Sequence, residues 1–505
     1  MRVEDSSKKR LLGAALSVSF LSLLGYLGFL LRDLFMVRTF GAGNQMDTFY
    51  LGAMVPMFFV SVLSMPVGTA LIPIYSELRM AEPSASPKLM GALVVIQVVF
   101  MGLLAALLHL GAPIVFSVLG LHYPAGELTA ILGVMDIYLV IMLVGGVVIV
   151  ANAVLNAEGW LVLPALAQLA VPIVVMLMLV AFGASHGIYA AVYGMLLGQV
   201  LNLMLVSIAL HGRNLLLPML KPSFKLVRSV FPIRQYGVLV VAALSTALFA
   251  PLANTIAGQV HSAGSVAIIG MGIKVIMFFT GTIGIGLTTV LLPYFSNLAA
   301  KSYHLKAQAD LSFFLLLATL ITVPLALVLR LLAATITYHM VAHSAMTNQD
   351  VRELIRTIQY GVAQLPFFAC SLVAVKYITA YQRAGIILVS SLVGLVLTVW
   401  FSRLFIGQMG VSGISLAMTI ALMFSTAVLV AYINRLKQLP VKESLYIFAN
   451  WILFALMFGT IYYHLAATAI GFGVIYLLFA FGSWRALIAG WSMESKRGMV
   501  DHPVA

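Results

Sequence analysis

The sequence predicts an all-α polytopic membrane protein of about fourteen transmembrane helices. Of its 505 residues, 62% are hydrophobic and only 9% are charged, against about a quarter charged in a soluble domain. The mean hydropathy is +1.10, and apolar stretches of about 20 residues, the length that crosses a bilayer, recur from end to end. The short alternating segments of a β-barrel are absent. The low charge density likewise excludes disorder. The net charge of +13 carries no case for a nucleic-acid partner, because Lys and Arg in membrane proteins collect in cytoplasmic loops.

In chain order the expected spans are 12–37, 47–77, 88–110, 128–154, 159–182, 187–211, 236–259, 264–297, 309–333, 353–380, 384–405, 408–433, 445–463 and 465–487. The first follows MRVEDSSKKR with no small-residue cleavage site and reads as a retained span, not a signal peptide. The second and eighth exceed what a crossing needs and are expected to overrun the membrane or to bend. Their weak points are Pro56, Pro66 and Pro73, and Gly281, Gly284 and Gly286. The segment 212–235 (GRNLLLPMLKPSFKLVRSVFPIRQ) is the longest and most basic connection. It suits an amphipathic helix on an anionic membrane surface, or a plain linker obeying the positive-inside rule. The single cysteine, Cys370, excludes an intramolecular disulfide. His339 and His343 have weak zinc spacing, and no metal or other cofactor is expected.

Lys and Arg set the orientation. Alternate segments carry Arg2, Lys8, Lys9 and Arg10, then Arg79 and Lys88, Arg213 to Arg234, Lys301 and Lys306, Arg383, Arg435 to Lys442, and Arg485 to Arg497. The other set holds little beyond Arg38, Arg330, Arg352, Arg356 and Arg403. An even number of spans with both termini in the cytoplasm follows.

The chain also repeats itself at an offset of 220 residues: TALIPIYSEL at 69–78 returns as TVLLPYFSNL at 289–298, and MFFV at 57–60 as MFFT at 277–280. Ten of 27 positions are identical across 52–78 and 272–298. The copies fall on the second and eighth spans, an even separation, so they run the same way through the membrane. This predicts two parallel six-helix lobes, 1–211 and 236–433, joined by 212–235. A helix pair follows at 434–487 and a cytoplasmic tail at 488–505. Such repeats belong to transporters that bind substrate near the midplane and alternate access by rocking.

The stretch LGFLLRDLFMVRTFGAGNQMDTFYLGAMVP (27–56) resembles the opening of MurJ/MviN-type flippases of the multidrug/oligosaccharidyl-lipid/polysaccharide exporter superfamily. Arg32, Asp33, Gly41, Ala42, Gly43, Asp47 and Pro56 match that pattern. The segment 264–296, with its Leu-Leu-Pro-x-x-Ser ending, is similar to the family's eighth helix. The resemblance implies a flippase in the bacterial inner membrane. It would carry an undecaprenyl-diphosphate-linked saccharide from the cytoplasmic to the periplasmic face, with cavity cations for the diphosphate and a groove for the lipid tail on the last two helices. Arg32 falls on a family arginine. Lys274 stands where the family has an arginine, which keeps the charge and loses the bidentate fork. The chain departs from the family at Tyr26, Val60-Ser61 and Met65-Pro66. These departures leave lipid II and an exopolysaccharide repeat unit both open as substrates.

The candidate substrate-binding residues are therefore Arg32, Lys274 and Asp33. A lysine as deep in a span as Lys274 costs about 2.5–3.5 kcal/mol unless it faces a wet cavity. Adjacent on one helix, Arg32 and Asp33 should point about 100° apart and not pair. Asp136 either holds a coupling Na⁺ or H⁺ or neutralises a basic neighbour such as Lys274. Asp47 is expected to cap its own helix, Arg38 to anchor the first helix at the interface, and Lys376 to snorkel. The methionines are read as packing between sliding lobes.

Rival readings are a cation-coupled small-molecule exporter, a membrane polysaccharide polymerase or ligase, and an assembly scaffold. The exporter would want acidic cavity residues. The enzyme would want a large, chemically equipped outer loop, and the outer loops near 111–127 and 334–351 are short. No catalytic residues are assigned. No G-x-x-x-x-G-K-[ST] loop for ATP occurs, which leaves membrane potential, an ion gradient or product removal as the drive.

Overall fold

The computed structural model describes residues 2–436, 441–462 and 476, apart from positions 232, 261, 342, 343, 382 and 384. Every regular element among the described residues is helical. The chain gathers into two compact units. One is Met1–Phe278 with Ile336–Thr357 and Ser402–Ile414; the other is drawn from Phe279–Thr335, Ile358–Phe401 and Ser415–Ala505.

The helices are α1 (Arg2–Phe40), α2 (Asn44–Phe59), α3 (Met65–Ala81), α4 (Ser86–Val118), α5 (Ala125–Ala157), α6 (Val162–Gln168), α7 (Ala170–His186), α8 (Ile188–Gly212), α9 (Leu216–Met219) and α10 (Phe224–Val230). They continue as α11 (Ile233–Ala247), α12 (Phe249–Gly258), α13 (Ser265–Ala300), α14 (His304–Val341), α15 (Asn348–Gly361), α16 (Leu365–Ala380), α17 (Gly385–Met409), α18 (Ser412–Arg435) and α19 (Val441–Tyr462).

Among the described residues, eleven helical stretches are long and apolar enough to cross a membrane. The seventh expected span is broken into α11 and α12, and the thirteenth is α19, whose apolar part is Leu445–Gly459. The expected span 465–487, bar Tyr476, and the tail 488–505 lie outside the described residues.

Four interruptions share one cause. A proline lacks the N–H that would bond the carbonyl four residues earlier, and its ring clashes with that carbonyl. The π turn Val60–Ser64 contains Val62, four before Pro66. Helix α6 stops at Gln168, four before Pro172, and α11 stops at Ala247, four before Pro251. The 3₁₀ turn Val362–Gln364 begins four before Pro366. In the second span only Pro66, of the three prolines expected to weaken it, is marked by an interruption; α2 runs through Pro56 and α3 through Pro73. By contrast α13 runs uninterrupted through Gly281, Gly284 and Gly286. Its 36 residues rise about 54 Å, well beyond a 30 Å hydrocarbon core.

In the first unit, α7 and α8 meet at a Gly-x-x-x-Gly pair. A Cβ at Gly194 would lie 2.8 Å from Val175 Cα, and one at Gly198 would lie 2.7 Å from Val171 Cα. Only glycines let the backbones approach so closely. At one end of the unit Leu71, Tyr75, Leu89, Met90, Val154 and Leu210 form a core that Met219 of α9 completes, with Leu226 and Val227 of α10 packed against it. Helix α10 itself has no buried residue. In the second unit, Ser390 Oγ donates to Ser425 O at 2.9 Å and Ser425 Oγ donates back to Ser390 O at 2.8 Å, fastening α17 to α18. Phe367 packs edge-on against Trp451 of α19.

Candidate functional site

Helices α1, α2, α5, α8 and α13 bring one charged cluster together inside the first unit. Arg32 and Asp33 are 5% and 0% exposed. Contrary to the expectation that neighbours on a helix point apart, they pair: Arg32 Nε donates to Asp33 Oδ1 at 2.8 Å, and Nη2 donates to the same oxygen. The long arginine side chain folds back along α1, because a buried guanidinium without a counter-ion is costly. Arg32 Nη1 also donates to Met195 Sδ at 3.3 Å, and the Tyr138 hydroxyl donates to that same sulfur at 3.3 Å. The Phe29 ring lies 5.2 Å from the guanidinium carbon.

Lys274 of α13 lies partly buried within electrostatic reach of Asp33 and Arg32. Asp33 Oδ2 and the Tyr50 hydroxyl are buried with no hydrogen-bond partner among the described residues. Arg32, Asp33 and Lys274 together hold two positive charges and one negative. The excess positive charge and the Tyr50 hydroxyl, a free donor, are suited to an anion, whereas Asp33 Oδ2 can only accept.

Asp47 does not cap its own helix. Its carboxylate accepts from the backbone N–H of Gly264 at 2.7 Å and of Ala267 at 2.7 Å, capping α13, the helix that carries Lys274. The sequence separation of 220 to Ala267 equals the repeat offset, so Asp47 meets the position equivalent to its own. Gly264, at φ +86°, is placed so that a Cβ would sit 2.5 Å from Ala42 O. A Cβ at Gly270 would press on the Tyr50 ring at 3.0 Å. Beside the cap lies a polar cavity of about 360 Å³ lined by Asn44, Asp47, His122, Tyr123, Glu127 and Ser262. Burial pushes the Tyr123 hydroxyl up to about 12, with Asp47 and Glu127 adding to the shift.

Asp136 is not in the cluster. Its Oδ1 pairs with His109 Nδ1 of α4 at 2.6 Å, in a half-exposed position, not with Lys274. Two residues on, and about 200° around the helix, it is Tyr138 that turns inward. Arg38 donates from Nε to Met340 O at 2.9 Å and from Nη2 to His339 O at 3.1 Å, at the C-terminal end of α14. Lys376 is partly buried on α16, and Cys370 is buried against Thr319 Oγ1 at 3.2 Å. His343 lies outside the described residues, and no group of three His, Cys, Asp or Glu suited to a metal occurs among those described. Sequence reasoning missed Tyr50, Tyr138 and Met195. The aromatic pair after Asp47 was the available signal for the first; Met195 carried none.

The model of the family described as lipid II flippase MurJ matches residues 36–482. A probable lipid II flippase MurJ of Buchnera aphidicola subsp. Baizongia pistaciae (strain Bp) is 22% identical over 374 residues, 71% of each chain. One of Bdellovibrio bacteriovorus is 25% identical over 290 residues, 56% of this chain and 54% of the relative. Among solved structures, a lipid II flippase MurJ in an inward closed conformation superposes with a TM-score of 0.73 at 18% identity, covering 93% of this chain and 99% of that one. An inward-facing multidrug resistance MATE family transporter of the MOP superfamily gives 0.70 at 15% identity, covering 84% and 97%. These structural likenesses bear on the fold.

Proposed function

The chain belongs to the MurJ lipid II flippase family, and on that premise we propose that it moves lipid II, a polyprenyl-diphosphate-linked saccharide, from the cytoplasmic to the periplasmic face of the bacterial inner membrane. The observation that carries this reading is the Arg32–Asp33–Lys274 cluster, with Arg32 and Asp33 buried and Lys274 partly buried, and its excess positive charge.

The diphosphate of such a lipid is a rival to Asp33 for the Arg32 guanidinium, which can give it two parallel hydrogen bonds. Lys274 adds a point charge with three donors. While the site is empty, Asp33 neutralises Arg32, and when the diphosphate leaves, it closes on the arginine again. Asp33 thus acts as the resident counter-ion that keeps a buried cation tolerable between cycles. Asp47, by holding the N-terminus of α13, sets the register of Lys274 two turns on. Asp136, paired with His109, is assigned a structural role.

The remaining parts of the reading rest on the sequence. The Lys and Arg distribution supports cytoplasmic termini, and the parallel repeat supports two six-helix lobes that alternate access. The helix pair at 434–487 supplies the groove for the lipid tail, and the drive is membrane potential, an ion gradient or removal of product. An exopolysaccharide repeat unit on the same carrier is the second substrate reading. It is favoured by Tyr26 and Val60-Ser61, which stand where the family's further cations would. The excess positive charge of the cluster disfavours export of cationic drugs, and no residue is assigned catalysis.

The test is depletion of the protein followed by analysis of lipid-linked intermediates in each leaflet. Build-up of a diphosphate-linked saccharide on the cytoplasmic face is the expected result, and its sugars decide between the two substrates. Intermediates that reach the outer face and stay unpolymerised would refute the flippase reading in favour of an enzyme.

A further inference from the structure

The two copies of the repeat end in different chemistry. In copy one, after Pro73, the chain carries Ile74 and Glu77 and then Glu82 in the following loop. Its nearby cations are Arg79, bound at 2.8 Å by Glu158, and Lys88 in the first turn of α4. Copy two, after Pro293, carries Tyr294 and Asn297 at the equivalent positions, then Lys301 and Tyr303 in the loop and Lys306 in the first turn of α14. The fold is shared, so the exchange of the two acids for an amide and aromatic residues is not demanded by the helical hairpin itself.

These residues line an open cavity of about 520 Å³ in the second unit, walled on its apolar side by Pro293 and Leu298. Neither Lys301 nor Lys306 makes an ion pair among the described residues. Asp310 lies in the field of Lys306, and one of its oxygens is taken by the Tyr294 hydroxyl. At the rim Tyr303 and Leu305 stand 52% and 80% exposed, apolar groups at the end of a helix longer than the hydrocarbon core. Paired ammonium groups beside an amide and tyrosine rings, with outstanding apolar residues next to them, match a phosphate head group carried on a lipid.

We propose that the Lys301–Lys306 cavity is a binding site for the phosphate of an anionic lipid at the membrane surface, separate from the Arg32–Lys274 cluster and independent of what that cluster transports. With the Lys and Arg bias placing this end inside, the lipid belongs to the cytoplasmic leaflet.

The test uses the full-length protein in detergent, titrated by native mass spectrometry with phosphatidylglycerol and with phosphatidylcholine. Phosphatidylglycerol is expected to bind in preference. The Lys301→Gln/Lys306→Gln double variant should weaken it about 25-fold, at about 1 kcal/mol per lysine near a membrane surface, and leave phosphatidylcholine unchanged. Displacement of the lipid by inorganic diphosphate would assign recognition to the phosphate alone, and resistance to it would assign recognition to the lipid-borne head group; both support the site. Two results overturn it: undiminished binding by the double variant, or an equal loss in a Lys221→Gln/Lys225→Gln control, which removes two lysines from the linker. Matching circular dichroism of all three proteins rules out misfolding as the cause of any loss.

Discussion

Replacing Asp47 with alanine strips two buried backbone N–H groups, those of Gly264 and Ala267, of their acceptor. A hydrogen bond to a charged group contributes about 1.5–3 kcal/mol, so two at the lower figure amount to about 3 kcal/mol, and the side chain is 8% exposed, so little water replaces it. That loss falls on the first turn of α13. Since about 1.4 kcal/mol is tenfold in an equilibrium, amide hydrogen exchange at residues 264–268 should quicken by roughly 100-fold. The Asp47→Asn variant keeps one acceptor oxygen, loses about half as much, and should quicken exchange about tenfold. The assay is exchange mass spectrometry of the purified protein, with peptides from α18 as an internal standard. Exchange at 264–268 that stays within about threefold of the unaltered protein in Asp47→Ala would refute the capping argument, since the carboxylate would then not be what holds the first turn of α13.

Other outcomes follow from the same geometry. Gly198→Leu should lower stability by about 3 kcal/mol, because its Cβ meets Val171 Cα at 2.7 Å. Gly212→Ala, with nothing within 4 Å, should be silent in the same thermal-unfolding series. Asp33→Ala leaves the Arg32 guanidinium buried without its carboxylate and should cost about 3–5 kcal/mol of stability; an unchanged melting temperature would contradict this. Arg32→Lys keeps the charge but not the fork, so flipping should fall at least about tenfold with the protein still inserted. His109→Phe and Asp136→Asn break a half-exposed pair and should each shift stability by less than about 1 kcal/mol with transport retained. Loss of transport in Asp136→Asn would move that residue from structure to coupling.

Hydropathy and proline position made most of the fold legible before any coordinates. The four breaks four residues ahead of Pro66, Pro172, Pro251 and Pro366 follow from the missing N–H and the ring clash, although only the first was anticipated. The Gly194–Gly198 pair was also readable as a close-packing motif. The site was half legible. Arg32, Asp33 and Lys274 stand out because charge is rare in an apolar chain, and the structure brings all three together. Asp136 drew notice for the same reason and turns out to face His109, because charge says nothing about which side of a helix it lies on. The Arg32–Asp33 pair is not legible from the direction at Cβ, because the long arginine side chain reaches back along its own helix. Asp47 was assigned to its own helix, and nothing local records that its partners lie 217 and 220 residues away. Met195 was unreadable, since one methionine among 26 carries no mark of accepting two hydrogen bonds.

The most direct measurement is flipping of a diphosphate-linked lipid in proteoliposomes by Lys274→Gln beside Lys274→Arg, at matched insertion. If the cluster's cations hold the diphosphate, the glutamine variant loses flipping by more than about tenfold, from the loss of one charge-assisted hydrogen bond, while the arginine variant retains it. Flipping by Lys274→Gln at the unaltered protein's rate would contradict the assignment of the cluster as the head-group site.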